Sequence, residues 1–307
     1  MTAVDTLSDT ELYATLRANL EDTQLAAWDE TEAPRVRDFI DASVAGGRRL
    51  VVITSGGTSV PLERNPVRFV TNFSTGGRGS KLAEVFLEDA SHAVIFVSKR
   101  GSLQPFSRAI QAHSDPLGAL DDPAVLEAKA RHAACRDRLL TVGFDSVIEY
   151  LFRLRHAVIA VNQAASKVAN KPLVLLAAAV SDYYIPRELM AQHKMSGAAA
   201  DGTLSLTFHQ VPKALGVLRR EGGPAMGVVS FKLETDPAVL ENKALGNLHK
   251  FDNDAVVANL LPTYKTQATV FKATSPTTHS ATSLAVAPAD PDTALERLIV
   301  STLLKHE

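Results

Sequence analysis

The chain has 307 residues, 46% of them hydrophobic and 21% charged, with a formal net charge of -2. That composition excludes wholesale disorder, and the near-zero charge disfavours a nucleic-acid binder that works through a broad basic field. One cysteine, Cys135, excludes an internal disulfide framework and a cysteine-cluster metal site, and it fits a reducing compartment.

The N-terminal segment MTAVDTLSDTELYATL is acidic. It has neither the basic and apolar regions of a signal peptide nor the arginines of a mitochondrial transit peptide. The longest apolar run, Leu173 to Val180, has eight residues, where a helix crossing a membrane needs about 20. We therefore expect a soluble, cytoplasmic protein with no membrane and no nucleic-acid partner.

Ser8 to Glu11 reads S-x-x-E, a capping box that opens a first short helix. Val36, Phe39, Ile40 and Val44 form one helical stripe, which Gly46-Gly47 stops. Residues 1–48 are thus an N-terminal helical segment. Leu50 to Ile53 is a continuous apolar, β-branched run, the habit of a parallel strand buried on both faces. A helix over Lys81–Leu87 precedes a strand over Ala93–Val97, which is the βαβ signature. Residues 108–144 read as loop plus helix and Asp145–Val168 as helix, so 108–170 forms a helical insertion. Lys171-Pro172 ends it, and Leu173–Val180 is another buried strand.

GAAADGT, at 197–203, reads as a loop or hairpin tip. Leu204, Leu206 and Phe208 alternate with polar residues, which predicts a half-exposed strand. Further strands are expected over Met226–Phe231, Ala255–Ala258 and Thr269–Phe271, with helices over 237–250 and 290–305. The Thr- and Ser-rich stretch 274–283 reads as a loop. About 150 residues per domain would allow two domains. The candidate site segments, however, are dispersed from 51 to 261. The expectation is one α/β domain over 1–307, a three-layer Rossmann-like fold with a central, mostly parallel sheet.

Three places could carry chemistry. The first spans residues 51–87, where a strand ends in Ser55-Gly56-Gly57-Thr58 and a second turn, Ser74-Thr75-Gly76-Gly77-Arg78-Gly79, opens a helix. Glycine lets backbone approach phosphate oxygens, and helix N-terminal N–H groups attract anions. Neither turn matches G-x-G-x-x-G or a P-loop, and tight turns without a ligand are an equal alternative. Arg68 and Asn72 lie between them. Arg binds carboxylate or phosphate in a bidentate way, and Asn offers a donor and an acceptor. The second is LAAAVSDYYIP, residues 176–186, where small residues at a strand end leave room for a ligand and Asp182 follows at once. A cap or Asx turn is the rival role for Asp182. Lys194 and Lys213 lie downstream and could reach an anion. The third comprises VSFKLETDP, residues 229–237, and AVVAN, residues 255–259. There Phe231 could stack a base and Asn259 could read base or ribose. Plain core is the simpler reading of Phe231. Cys135 has no partner motif and reads as an inert thiol.

These segments together resemble the phosphopantothenate–cysteine ligase family. The matching pieces are TSGGTSVPLERNPVRFVTNFSTGGRG, LAAAVSDYYIP, HKMSG, VPKAL, SFKLETDP and VVANLL, in the family's order over residues 51–261. SFKLETD and the long insertion between Val97 and Leu173 look like the eukaryotic, monofunctional branch. The resemblance implies a ligase that joins 4′-phosphopantothenate to L-cysteine through an acyl-nucleotide, a step in coenzyme A synthesis. It implies ATP as co-substrate, with CTP possible, Mg2+, and a homodimer. It implies that Asn72 holds the substrate carbonyl or acyl-phosphate and that Arg68 stands near the substrate or the dimer partner. Gly56, Ser74, Gly76 and Gly79 would cradle phosphate. Ala178, Ala179 and Asp182 would contact the pantothenate arm, and Phe231 and Asn259 the nucleotide. Lys194 is the counterpart of the family's essential lysine, with Lys213 as its rival, and the metal ligands are unassigned. Two other readings are weighed against it. A Rossmann-type NAD(P)-dependent oxidoreductase lacks its fingerprint here. A non-catalytic regulatory relative binding the pathway decarboxylase would not need intact glycine turns.

Overall fold

Continuous runs of Val, Ile and Leu bury on both faces, and they build the centre of this protein. The computed structural model describes residues 8–195, 203–212, 214–275, 277–287 and 289–305. Helix α1 (Asp9–Ala18) starts at the expected capping box: Glu11 N donates to Ser8 Oγ at 3.3 Å, and Ser8 N donates to the Glu11 carboxylate at 2.8 Å. Helix α2 (Asp22–Ala27) runs through a π-helical turn at Trp28–Glu32 into α3 (Ala33–Ala45). Helix α3 is the helix expected from the Val36–Val44 stripe, whereas α2 and the π-helical turn were not anticipated from the sequence.

Strand β1 (Arg49–Ser55) is wholly buried, and the short strands β2 (Ser59–Pro61) and β3 (Phe69–Thr71) form a hairpin beyond it. Helix α4 (Gly77–Glu88) leads into β4 (His92–Lys99). Two helices, α5 (Arg108–Gln111) and α6 (Pro123–Ala134), precede β5 (Leu139–Phe144). Helix α7 (Val147–Ala164) then crosses to β6 (Leu173–Leu176). Strands β7 (Tyr183–Tyr184) and β8 (His209–Gln210) pair with each other. The chain continues through α8 (Ala214–Gly222), β9 (Gly227–Glu234), α9 (Pro237–Lys250) and β10 (Ala255–Leu260). It ends in β11 (Gln267–Ala273), β12 (His279–Ala285) and α10 (Ala294–Leu304).

The sheet order is β12-β11-β10-β9-β6-β1-β4-β5. β10 through β5 in that order are parallel, and β11 and β12 are antiparallel additions at one edge. One face packs against α1, α3 and α7 around Trp28, Phe152 and Leu154, and the other against α4 and α10 around Phe86, Leu82 and Ile299. This is the expected three-layer α/β fold with a mostly parallel sheet.

Four local expectations need correction. The segment 108–144 contains an edge strand, β5, besides its helix; its burial alternates and a run of charges precedes it, so it lacked the continuous apolar signal. The strand expected to Val180 leaves the ladder after Leu176, because Ala178 N turns to the Thr54 side chain instead of a strand carbonyl. Residues 203–208 form no strand; Leu206 and Phe208 lean on the core while Leu204 is exposed, and pairing begins only at His209. Much of the loop expected over 274–283 is β12, a polar strand that hydrogen-bonds β11 across seven residue pairs. The expected loop tip at 197–203 lies, apart from Thr203, outside the described residues.

Candidate active site

Strand order places the site. From β1 the chain moves outward to β4 and β5, returns to β6 on the other side of β1, and moves outward again to β9 and β10. The winding reverses between β1 and β6, and a crevice opens beyond their carboxyl ends. There the ladder of Val51–Thr54 against Leu173–Leu176 gives way to single rungs: Gly57 with Ala179, and farther on Glu63 with Ala191. Ala179 N donates to Gly56 O at 2.8 Å, and Thr58 N donates to Ala179 O at 3.0 Å. Two hydroxyls extend the seam, as Ala178 N donates to Thr54 Oγ1 at 3.1 Å and Ser181 N to Thr58 Oγ1 at 2.9 Å. Asn72 closes over it, with its backbone N donating to Thr58 O at 3.1 Å and its side-chain amide to Val180 O at 3.2 Å. The first and second candidate sites are therefore one place, and Gly56, Asn72, Ala178 and Ala179 meet in it.

The glycines serve two distinct purposes. Gly56 (φ +84°) and Gly76 (φ +83°) adopt the left-handed conformation that L side chains avoid, and Gly76 caps α4. Gly57 and Gly79 permit close approach: a Cβ would lie 2.0 Å from Asn72 O in the first case and 2.5 Å from Ser55 Cβ in the second. Gly79 thus seats α4 against β1. Ser55 Oγ donates to Gly76 O at 2.9 Å, Gly76 N donates to Ser74 Oγ at 3.3 Å, and Gly77 N to Thr75 Oγ1 at 3.3 Å.

These elements wall one side of a cavity of about 560 Å3, through Gly57, Asn72, Ser74 and Thr75. The other side was not singled out from the sequence. It is the turn after β4, Lys99-Arg100-Gly101-Ser102, together with Arg108 and Gln111. Leu103 N donates to Thr75 O at 2.9 Å and pins this turn to the second glycine turn. A usable signal was present: a buried strand ends in S-K-R-G-S, two cations and a glycine at a position where α/β sheets bind ligands.

Arg68 does not line this cavity. Its guanidinium pairs with Glu63, with Nε donating to Oε1 at 2.8 Å, and donates to Met195 O at 3.2 Å. It thereby ties the segment after β2 to the segment carrying Lys194, whose side chain is exposed. Lys213 lies outside the described residues. Burial pushes the Glu63 carboxyl up, but the hydrogen bond and charge of Arg68 outweigh it and hold the group below its ordinary value. A carboxyl depressed in the folded state stabilises the fold above its unfolded pKa, and that contribution is lost as pH falls through the folded value. Glu63→Gln is therefore expected to melt below wild type at neutral pH. The gap should begin to narrow as the pH drops below 4.5, the ordinary value of this carboxyl, and close only below its depressed folded value. A gap that stays constant across paired melts at neutral and acid pH removes this role for the Glu63–Arg68 pair.

Phe231 is half-buried and packs against the cluster beneath α4 and α10. Asn259 is buried, its amide donates to Gln267 O at 3.0 Å, and it lines a second cavity of about 240 Å3 with Leu240 and Thr263. Neither residue lines the cavity at Asn72. Asp182 is exposed, and its backbone carbonyl accepts from Val211 N at 2.9 Å. Cys135 is buried, and burial pushes its thiol up. Among the described residues no group of three or more His, Cys, Asp or Glu could hold a metal ion, and no helix is long and apolar enough to cross a membrane.

The family described as the DNA/pantothenate metabolism flavoprotein C-terminal domain matches residues 46–114 and 152–285. The chain is 41% identical over 247 residues to phosphopantothenate–cysteine ligase 2 of Oryza sativa subsp. japonica, covering 74% of each. It is 38% identical over 236 residues to phosphopantothenate–cysteine ligase of Homo sapiens, covering 71% of this chain and 74% of that one. Among solved structures it resembles a Cab2 mutant in complex with phosphopantothenate-cysteine, with a TM-score of 0.81 and 30% identity over 94% of this chain and 95% of that one. The stretch between the two matched blocks, residues 115–151, holds α6 and β5.

Proposed function

This chain belongs to the phosphopantothenate–cysteine ligase family, and from that premise we propose that it joins 4′-phosphopantothenate to L-cysteine in coenzyme A biosynthesis, acting in the cytoplasm. The observation that carries the reading is the junction of Gly56–Thr58, Asn72 and Ala178–Ser181 at the winding reversal between β1 and β6. We read the whole chain, 1–307, as one domain, because a single eight-stranded sheet runs through it and β1 pairs with β6 where the two halves of the chain meet.

The substrate carboxylate attacks the α-phosphate of the nucleotide, and the α–β bridging bond breaks to release pyrophosphate. The cysteine amine then attacks the acyl carbon, loses a proton, and displaces the nucleotide monophosphate. Neither step needs a nucleophilic side chain, and positioning alone can supply roughly 7–11 kcal/mol of such a barrier. In this scheme the Asn72 amide holds the carbonyl or acyl-phosphate oxygen. Ala178 and Ala179 present backbone to the pantothenate arm, with Asp182 at its rim. Gly56, Ser74 and Gly76 face the phosphates, while Gly79 holds α4 in place. Phe231 and Asn259 bind the nucleoside, and Lys194 on its exposed segment supplies charge to the acyl-phosphate. Arg68 acts through Glu63 and the Met195 carbonyl as a positioning residue for that segment. Magnesium keeps most of its waters and is commonly held through substrate phosphates. Among the described residues no three His, Cys, Asp or Glu side chains gather to hold it, so substrate phosphates and water would supply its ligands.

ATP is the expected nucleotide, with CTP as the alternative. The test is pyrophosphate release from protein, 4′-phosphopantothenate and cysteine with each nucleotide in turn. Release with ATP above CTP is the expected result, and no release with either removes the ligase reading.

A homodimer completes the proposal. Val67, Phe69, Val70 and Phe73 expose 61%, 50%, 47% and 88% of their surface around the β2–β3 hairpin, beside Asn72. Apolar surface gathered this way on one hairpin marks an interaction site, and a second copy is the occupant we assign. Sedimentation at twice the chain mass is expected, with a Phe69→Ser, Phe73→Ser double variant sedimenting as a monomer. A monomeric wild type rules the dimer out.

A further inference from the structure

The scheme above leaves one wall of the 560 Å3 cavity without a task. The charged residues that line this cavity are Lys99, Arg100 and Arg108, and no carboxylate lines it. The acids stand behind the cations and hold them. Lys99 Nζ donates to Asp145 Oδ1 at 2.8 Å, and Arg100 Nη1 donates to Asp145 Oδ2 at 2.7 Å. Asp145 is itself fixed, because its N donates to the buried Glu149 carboxylate at 2.6 Å. On the same wall Arg108 forks onto the buried Glu84 at 2.5 and 2.8 Å, and its Nε reaches Asp292 at 2.9 Å.

The tethers fix the heads without using all their donors. An ammonium has three N–H groups, and only one of those on Lys99 is engaged with Asp145. Hydroxyls of Ser74, Thr75 and Ser102 line the same space. Pre-set cations with spare donors suit an anion of more than one charge. A water takes about 30 Å3 in the liquid, so a cavity of this size admits a phosphate or diphosphate with waters.

We propose that the cavity walled by Lys99, Arg100 and Arg108 is a phosphate subsite, which takes the terminal phosphate group of one of the two phosphorylated substrates. Two sources share this chemistry: the distal phosphates of the nucleotide, which leave as pyrophosphate, and the 4′-phosphate of phosphopantothenate. The identity of those substrates rests on the ligase reading. Asp145, Glu149 and Glu84 are positioning residues for the subsite.

Calorimetric titration of the full chain tests it with five ligands: ATP, AMP, pyrophosphate, 4′-phosphopantothenate and pantothenate. Lys99→Met is the main variant, because Arg100 keeps Asp145 paired and the fold is left without an orphan carboxylate. Loss of one charge-assisted bond weakens binding by about ten-fold or more. If the nucleotide is the source, ATP and pyrophosphate lose that factor and AMP does not. If the 4′-phosphate is the source, phosphopantothenate loses it and pantothenate does not. Either pattern, with Lys99→Arg restoring most of the affinity, supports the subsite. Unchanged affinities, equal losses for ligands with and without the terminal phosphate, or a wild type that binds none of the phosphorylated ligands overturns it. Lys99-dependent phosphate binding in a protein that releases no pyrophosphate would remove the ligase reading and keep the subsite.

Discussion

Asn72→Asp leaves the fold standing and removes product formation. The native amide donates to Val180 O at 3.2 Å and lines the cavity between the glycine turns and the cationic wall. An ionised aspartate has no hydrogen to donate, so it faces the Val180 carbonyl oxygen with a like partial charge. It also adds a negative charge where two anionic substrates must meet. Loss of one oriented donor at a developing oxyanion costs about 10²–10³ in kcat, and the added repulsion acts in the same direction. The expected loss of pyrophosphate release is at least about a thousand-fold. Stability should fall by no more than about 1.5 kcal/mol, the scale of one lost hydrogen bond. A folded variant that keeps a tenth of wild-type turnover takes Asn72 out of the mechanism.

Gly57→Ala is the second large effect, and it acts through space. A methyl group at residue 57 would sit 2.0 Å from Asn72 O and 3.0 Å from Asn72 C. Both are backbone atoms, so no side chain can swing away to make room. Either the rung between Gly57 and Ala179 opens or the Asn72 backbone retreats by about 1 Å, and a misplacement of that size can cost about 10²-fold in rate. Overpacking of this kind costs about 1–3 kcal/mol of stability. Gly46→Ala is the control, since its nearest atoms lie at 3.5 Å. Denaturant titration and pyrophosphate release on the three proteins give the comparison. Equal activity in the two variants sinks the close-approach account.

The fold was readable wherever burial on both faces forced an apolar run, as at Leu50–Ile53 and Ala93–Val97. It was unreadable where a strand has one wet face or an edge. β5 alternates between buried and open positions, and β12 is almost wholly exposed and built mostly from Ser, Thr and Ala. Its pairing with β11 comes from backbone hydrogen bonds, which leave no trace in hydropathy. The site was half legible. Glycine turns and Asn72 announce themselves locally, whereas the meeting of Gly57 with Ala179 spans 122 residues and depends on strand order. Lys99 and Arg100 were overlooked because a basic pair after a strand reads as a solvated turn until the acids behind it are seen. The pairing of Arg68 with Glu63 was likewise illegible, since Glu63 is buried by the fold rather than by its own sequence context.

The single rungs beyond β1 have an evolutionary reading. The ladder of Val51–Thr54 with Leu173–Leu176 is continuous and, up to Leu175, buried at the centre of the sheet. The seam at Gly57–Ala179 and Glu63–Ala191 hangs from that ladder by isolated contacts. Yet Thr58, Val60 and Glu63 in these segments are buried, and Val60 belongs to the main core cluster. Beyond Ser55 the same residues shape the crevice and pack the fold, so selection on substrate choice there is bounded by what folding tolerates.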